Sequence, residues 1–344
     1  MKSHIFLTAL LAIFSVQIVA QNRKDKVPVT YEELYDEPYA INKLFVQFQP
    51  MYGELFVSNI NAGLGLEATY FLKDKFTFHA HGRLTYYKRF DAMRNQSLDN
   101  SDVDNTAEVY NYYEAGGTYH IKDFEESSST KMFLYKKSYR GNRWAARVPL
   151  TAEIPSKVRK IYGARLGGII FDTEVDINRS LEEQDLTTEV LVDPDGVPIP
   201  ASFTDANGEE QELGLFSSQR TGAIYAGASM TWIRNVAVDF DNKYTEGVDD
   251  LIFTAFVDLI VAPSVRVDDI LYNGSVYSVD GLDTSMIGFR AGIDGKFNRT
   301  WGWAYGGEVG VRPGLKGRGF YALIKISFPV FSTNLDYSVE AFGK

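Results

Sequence analysis

From Met286 to Phe328 the chain alternates with period two. Ile287, Phe289, Ala291 and Ile293 form one set, and Gly288, Arg290, Gly292, Asp294 and Lys296 form the other. Beyond Asn298-Arg299-Thr300, Trp303, Tyr305, Gly307, Val309 and Val311 alternate with Gly306, Glu308, Gly310 and Arg312. A third run sets Phe320, Ala322, Ile324, Ile326 and Phe328 against Tyr321, Leu323, Lys325 and Ser327. Such alternation predicts strands with two unlike faces. One face is apolar with aromatic ends, and the other carries glycines and full charges. A soluble sandwich buries the apolar face against a second sheet. A membrane barrel turns it to lipid and encloses the charges.

The same pattern predicts seven earlier strands, at 43–49, 56–72, 76–90, 107–121, 161–173, 217–233 and 250–262. On strands two to ten the apolar parity holds fifty-three positions without one Asp, Glu, Lys or Arg, in a chain that is 23% charged. A charge facing lipid at mid-bilayer costs roughly 2–4 kcal/mol, which empties that face. The expected strands are also longer than the mean of about 5–6 residues in globular sheets. The expectation is therefore all-β: a transmembrane antiparallel up-and-down barrel of ten strands over residues 43–328. Twelve strands is the alternative, if 132–139 and 144–150 form a further hairpin across Arg140-Gly141-Asn142.

With the N-terminus on the periplasmic side, the outer connections are 50–55, 91–106, 174–216, 263–284 and 313–318, and tight inner turns fall at 73–75 and 298–300. Two inner connections break the rule of short inner turns, 122–160 and 234–249. Aromatics stand at inner strand ends on the apolar parity: Tyr70, Phe76, Tyr119, Tyr162, Trp232, Phe253, Trp303 and Phe328. That is half of an interfacial girdle.

Composition fits this location. Residues 1–20 read as a secretory signal, with Lys2 as the basic region, Ile5 to Val16 as the apolar core and Ala20 before the cut. No later stretch is long and apolar enough for a transmembrane helix. Residues 21–42 form a periplasmic segment, in which Thr30-Tyr31-Glu32-Glu33 reads as a capping box opening a short helix. Residues 329–344 form a tail. The absence of cysteine excludes disulfides, thiolate metal sites, cysteine nucleophiles and a lipoprotein anchor. A net charge of −10 argues against nucleic acid as a partner. That charge is uneven: 122–160 holds ten Lys and Arg against four acids, and 176–214 holds eleven acids against one base.

The layout resembles outer-membrane β-barrel proteins of Gram-negative bacteria, and its Asp-, Asn- and aromatic-rich loops look most like those of Bacteroidota. The resemblance spans residues 43–328 and rests on layout rather than on a motif. It implies an integral outer-membrane protein in contact with outer-membrane lipids, lipopolysaccharide and other envelope proteins.

The polar parity carries the candidate chemistry. Its acids are Glu67, Glu114, Asp258, Asp294 and Glu308, and its bases Arg83, Arg165, Arg290, Lys296, Arg312 and Lys325. A ten-stranded barrel is narrow, so the expectation is a charge-plugged lumen, with a charged constriction for small solutes as the alternative. Centring the 73–75 turn places His81 opposite Glu67. Centring the 298–300 turn places Glu308 opposite Arg290, and the next loop places it opposite Lys325. His79, His81 and His120, with Glu67, are weak candidates for zinc or a proton relay, and an ordinary polar network is the expectation. Fragments 193–196 and 205–209 resemble calcium loops without the full ligand spacing; hairpin turns are expected there. No cofactor is called for. The Asp-Asp pair of omptin proteases has a counterpart in Asp249-Asp250, but on the inner side, and no Asp-His dipeptide exists. The expected function is a non-enzymatic structural or accessory subunit, with a narrow channel as the alternative.

Overall fold

The computed structural model describes residues 29–135, 150–204, 208–241, 244–298 and 302–332. The expected signal segment and the tail beyond Ser332 lie outside them. Ten strands close into a barrel: β1 (Leu44–Phe56), β2 (Asn59–Leu72), β3 (Phe76–Thr85), β4 (Asn111–Leu134), β5 (Leu150–Asp176), β6 (Phe216–Ile233), β7 (Leu251–Val267), β8 (Ile287–Phe297), β9 (Ala304–Val311) and β10 (Phe320–Ser332). Each pairs antiparallel with its chain neighbours, and β10 closes on β1. This is the expected ten-stranded up-and-down barrel.

The two faces separate as the alternation requires. Ile324 is 69% exposed, while its neighbour Lys325 is 5% exposed and points into the lumen. Ile60, Leu66, Tyr113, Leu166, Ile170, Ile224, Val257 and Phe289 stand outward around the barrel. Tyr70, Tyr119, Tyr162, Trp303 and Phe328 continue that outer face toward one rim. So much apolar surface facing outward from a closed sheet is unstable in water and stable in hydrocarbon. The barrel therefore spans a membrane.

Five expectations are corrected. First, β1 continues through Pro50 to Phe56, so 50–55 is strand and the turn is Val57–Ser58. The ladder to β2 slips between Gln49 and Tyr52. Proline has no N–H to give, so it sits at a bulge. The extra residue flips the parity: Phe45, Gln47 and Gln49 face in before it, and Tyr52, Glu54 and Phe56 after it. Second, the connection expected at 122–160 is largely strand: β4 runs on to Leu134 and β5 begins at Leu150, and the two pair to their ends, while the alternative hairpin of 132–139 with 144–150 falls mostly outside the described residues. Residues 136–149 lie outside the described residues. Third, Thr30–Glu33 opens no helix. Tyr31–Asp36 is a strand, paired with Val236–Phe240, which pairs with Gly247–Asp249. Tertiary pairing overrides the local capping signal. Fourth, β3 stops at Thr85; residues 88–90 form a 3-10 turn and α1 (Ala92–Asn100) follows, capped by the Asp91 side chain on the Arg94 N–H. Fifth, the β8–β9 ladder is shifted by two: Gly292 faces Glu308 and Arg290 faces Gly310. Asn298 leaves the strand at the rim, where its side-chain oxygen accepts from the Asn42 N–H at 2.7 Å, and the turn is wider than three residues. The β9–β10 ladder is shifted likewise, with Glu308 facing Leu323 and Gly306 facing Lys325.

Both ends are furnished. At the hairpin end, β4 and β5 run on beyond the barrel and pack against the three-stranded sheet of Tyr31–Asp36 around Met132, Leu134, Ile154, Val236, Val238 and Phe240. At the loop end, α2 (Ile177–Glu183) and the hairpins Ser202–Glu212 and Ile270–Tyr277 form a cap. Its core includes Ile177, Leu181, Leu191, Leu213, Leu215, Ile270 and Leu315. The acidic loop is thus a folded unit whose charges lie outside an apolar centre.

Candidate functional site

The lumen is where the polar parity converges, and Arg290 on β8 is its hub. Nε donates to Asp258 Oδ2 at 2.8 Å, Nη1 to Glu114 Oε2 at 2.8 Å and Nη2 to Glu114 Oε1 at 2.6 Å. Nη1 also lies 3.6 Å from Glu308 Oε2. Asp258 is shared with Arg165, whose Nε donates at 2.9 Å. Glu308 is shared with Arg83 Nη2 at 3.4 Å and accepts from the Tyr321 hydroxyl at 3.2 Å. A bidentate guanidinium–carboxylate pair is strong and directional, and burial removes the screening that weakens surface pairs. Arg290, Glu114, Asp258 and Arg83 are all buried.

Aromatic rings complete the plug. The Arg290 guanidinium lies 4.5 Å from the Tyr225 ring centre, and Arg83 lies 4.7 Å from that of Tyr112. Tyr225 lies along the lumen wall over Gly167 and Gly116 of the next two strands, where a Cβ would come within 2.4 Å and 2.1 Å of its hydroxyl oxygen. Toward the loop end, Arg312 forks onto Glu54 at 2.8 and 2.7 Å and stacks 3.9 Å over Tyr321. Tyr52, Tyr110, Tyr112, Phe171 and Leu323 pack with these groups. Toward the hairpin end, Lys325 pairs with Glu67 at 2.5 Å and Asp294 at 3.1 Å, and Lys296 pairs with Asp294 at 3.4 Å.

A cavity of about 70 Å³ extends from the hub toward the hairpin end, lined by Arg290, Glu114, Arg165 and Glu308, by His79, His81 and His120, and by Phe71, Phe256 and Ile293 among others. It is large enough for several waters and too small for a sizeable solute.

The expected charge network is brought together, with different partners. Glu67 faces His81 in the ladder as the turn geometry required. Glu308 lies near Arg290, but Lys325 is not its second cation; Arg83 is. The two-residue register shift moves Lys325 down to Glu67 and Asp294. The histidines and Glu67 do not form one centre. His79 Nε2 lies 2.7 Å from the Tyr225 hydroxyl and 3.2 Å from Glu114. The His81 ring lies 5.6 Å from that of His79, tilted 56° to it. His120 bridges Thr77 and the Asp74 carbonyl, each at 2.8 Å, rather than approaching His79. The Glu67 carboxylate is held by Lys325. Among the described residues no cluster of three metal-ligating groups occurs. Asp193 spends Oδ1 on the backbone N–H groups of Asp195 and Val197, which makes 193–196 a turn; 205–207 lie outside the described residues. Sequence reasoning missed Glu54, hidden by the parity flip at Pro50. It also missed the lumen tyrosines, although Tyr225 and Tyr321 stand in the polar sets of their strands.

No protein-family model and no curated protein matches the chain. Several solved structures are similar to it, two of them as follows. LpxR from Salmonella typhimurium is 8% identical with a TM-score of 0.26, over 82% of this chain and 99% of that one. The P. putida toluene transporter TodX is 8% identical with a TM-score of 0.19, over 83% of this chain and 86% of that one. Both are outer-membrane β-barrels, and neither bears on a Bacteroidota-like origin. The comparison corrects one expectation: LpxR is itself an enzyme, so the absence of a familiar catalytic motif on a barrel does not make it non-enzymatic, and that expectation is withdrawn. Likeness at this level says nothing about residues, substrates or transport here.

Proposed function

We propose that this protein is a solute-tight outer-membrane barrel that works through its two ends as a structural or accessory subunit of the envelope. The observation that supports this reading is the lumen cross-section at Arg290, where guanidinium, three carboxylates and the Tyr112 and Tyr225 rings are packed together, none more than 8% exposed. An open pore needs a continuous wet path, with binding weak enough for a solute to leave. In this reading the acidic cap faces outward, toward lipopolysaccharide bridged by divalent cations, and the hairpin-end sheet faces the periplasm, where protein partners dock. The test is single-channel recording of the purified protein in planar bilayers. Wild type is expected to be silent at all voltages tried. Steady conductance in wild type would replace this reading with that of a narrow channel.

A further inference from the structure

Tyr86-Tyr87-Lys88-Arg89-Phe90 follows directly on β3 at the loop end. Phe76, Phe78, Leu84 and Tyr86 share the outward parity of this strand, and all four are exposed. Tyr86 still belongs to the sheet edge, where its N–H donates to the Ala62 carbonyl at 3.4 Å. Phe76 and Tyr86 lie ten residues apart. At about 3.4 Å per residue and a strand tilt of roughly 40°, that is about 26 Å of height. The apolar band of a membrane barrel is about 25 Å tall, with an aromatic girdle at each edge. Phe76 therefore stands at the girdle of the hairpin end and Tyr86 at that of the loop end.

Beyond Tyr86 the chain folds back. Residues 88–90 form the 3-10 turn, and the Phe90 ring returns to meet the Tyr86 ring edge-on, 5.5 Å between centres. Asp91 pins the turn: it is fully buried, and its carboxylate accepts from Asn59 Nδ2 at 2.8 Å and from the Tyr110 N–H at 2.9 Å. Tyr87 is 59% and Phe90 49% exposed, and Arg89 between them is exposed as well. Lys88 and Arg89 form no ion pair among the described residues, whereas Arg220, Lys316 and Arg318 at the same end each hold a carboxylate. The acid next in sequence is Asp91, whose two oxygens are committed inward.

We propose that the turn at 86–90 is a docking surface for the phosphorylated glycolipid anchor of lipopolysaccharide in the outer leaflet. Tyrosine and phenylalanine rings sit at the boundary between headgroups and acyl chains. Two bases just above that boundary meet the headgroup phosphates directly and draw anionic lipid. The acidic cap, by contrast, needs divalent cations to approach the same lipid. The inference rests on the outward orientation of the loop end stated under the proposed function.

Native mass spectrometry of the full-length barrel in neutral detergent tests it. The probes are the phosphorylated glycolipid anchor and the same anchor stripped of its phosphates. Wild type is expected to retain the first and to lose the second. Lys88→Gln with Arg89→Gln should weaken retention by roughly fivefold for each base, on the order of 25-fold together. Arg266→Gln, an exposed base elsewhere at the loop end, should leave it unchanged. Equal retention of both anchors, or equal retention by the double variant, overturns the proposal. Inorganic phosphate is the third probe: if it displaces the anchor at millimolar concentration, the surface takes a free anion and the lipid assignment falls. Detergent removes sidedness, so failure here leaves the orientation of the barrel to be decided separately by cysteine labelling.

Discussion

Arg290 holds Glu114 across the lumen through two parallel hydrogen bonds, 2.8 and 2.6 Å long, between residues 176 apart in sequence. The pair joins β8 to β4, which share no ladder. It therefore fastens the barrel across its interior, where the sheet itself fastens only neighbours. Removing one partner of a buried pair costs roughly 3–5 kcal/mol because the other charge is left uncompensated.

Arg290→Ala strands the Glu114 carboxylate and takes one of two cations from each of Asp258 and Glu308, so it should be the most destabilising single change in the lumen. Arg290→Lys keeps the charge but loses the fork and should fall between. Arg220→Ala is the control: its pair with Asp172 is at 2.7 Å, but its side chain is 65% exposed, and such pairs are worth at most about 1 kcal/mol. Equilibrium urea unfolding of the barrel in micelles measures all three.

The double change Arg290→Ala with Glu114→Ala should be milder than the sum of its parts. Asp258 keeps Arg165 and Glu308 keeps Arg83, so no carboxylate is abandoned. Residues in one network couple by about 0.5–3 kcal/mol. The same variant opens the plug, and bilayer recordings should show conductance or flicker that wild type lacks. Full additivity with a silent barrel would show that Arg290 does not hold the plug.

Ile324→Arg tests the lipid-facing assignment. At 69% exposure an arginine there would be harmless in a soluble protein. Facing mid-bilayer it should cost roughly 2–4 kcal/mol. Reversible folding into liposomes distinguishes the two, with Leu98→Arg, exposed on α1 in the loop-end region, as the comparison.

Gly167→Ala drives a methyl group into the Tyr225 hydroxyl and ring. Overpacking of this kind costs about 1–3 kcal/mol. Tyr225→Ala removes the contact with the ring but leaves that with the Ala115 carbonyl at 2.6 Å, so the double variant should lose less stability than the sum of the two single changes. Thermal unfolding of the four proteins of the cycle decides it.

Sidedness follows from labelling, since the chain has no cysteine of its own. Ser202→Cys on the cap should react with an impermeant thiol reagent on intact cells, and Ser129→Cys on the hairpin extension should react only after the outer membrane is opened. The reverse pattern would invert the barrel.

The sequence by itself determined which residues face lipid and which face the lumen. A strand has a side-chain period of two, and the bilayer forbids charge on one of its faces, so Ile324 and Lys325 were separable before any fold was known. It also determined the Glu67–His81 pairing, because a turn as short as 73–75 leaves little freedom of register. Where a local signal had a tertiary competitor it misled. The proline at 50 ended the alternation but only bulged the strand, and Thr30–Glu33 read as a helix start until Val236–Phe240 offered a ladder. Only the tertiary structure decided who pairs with whom inside. The Arg290–Glu114 and Arg312–Glu54 forks cross the lumen between strands far apart in the chain, and their geometry depends on closure of the whole barrel and on the register of each ladder.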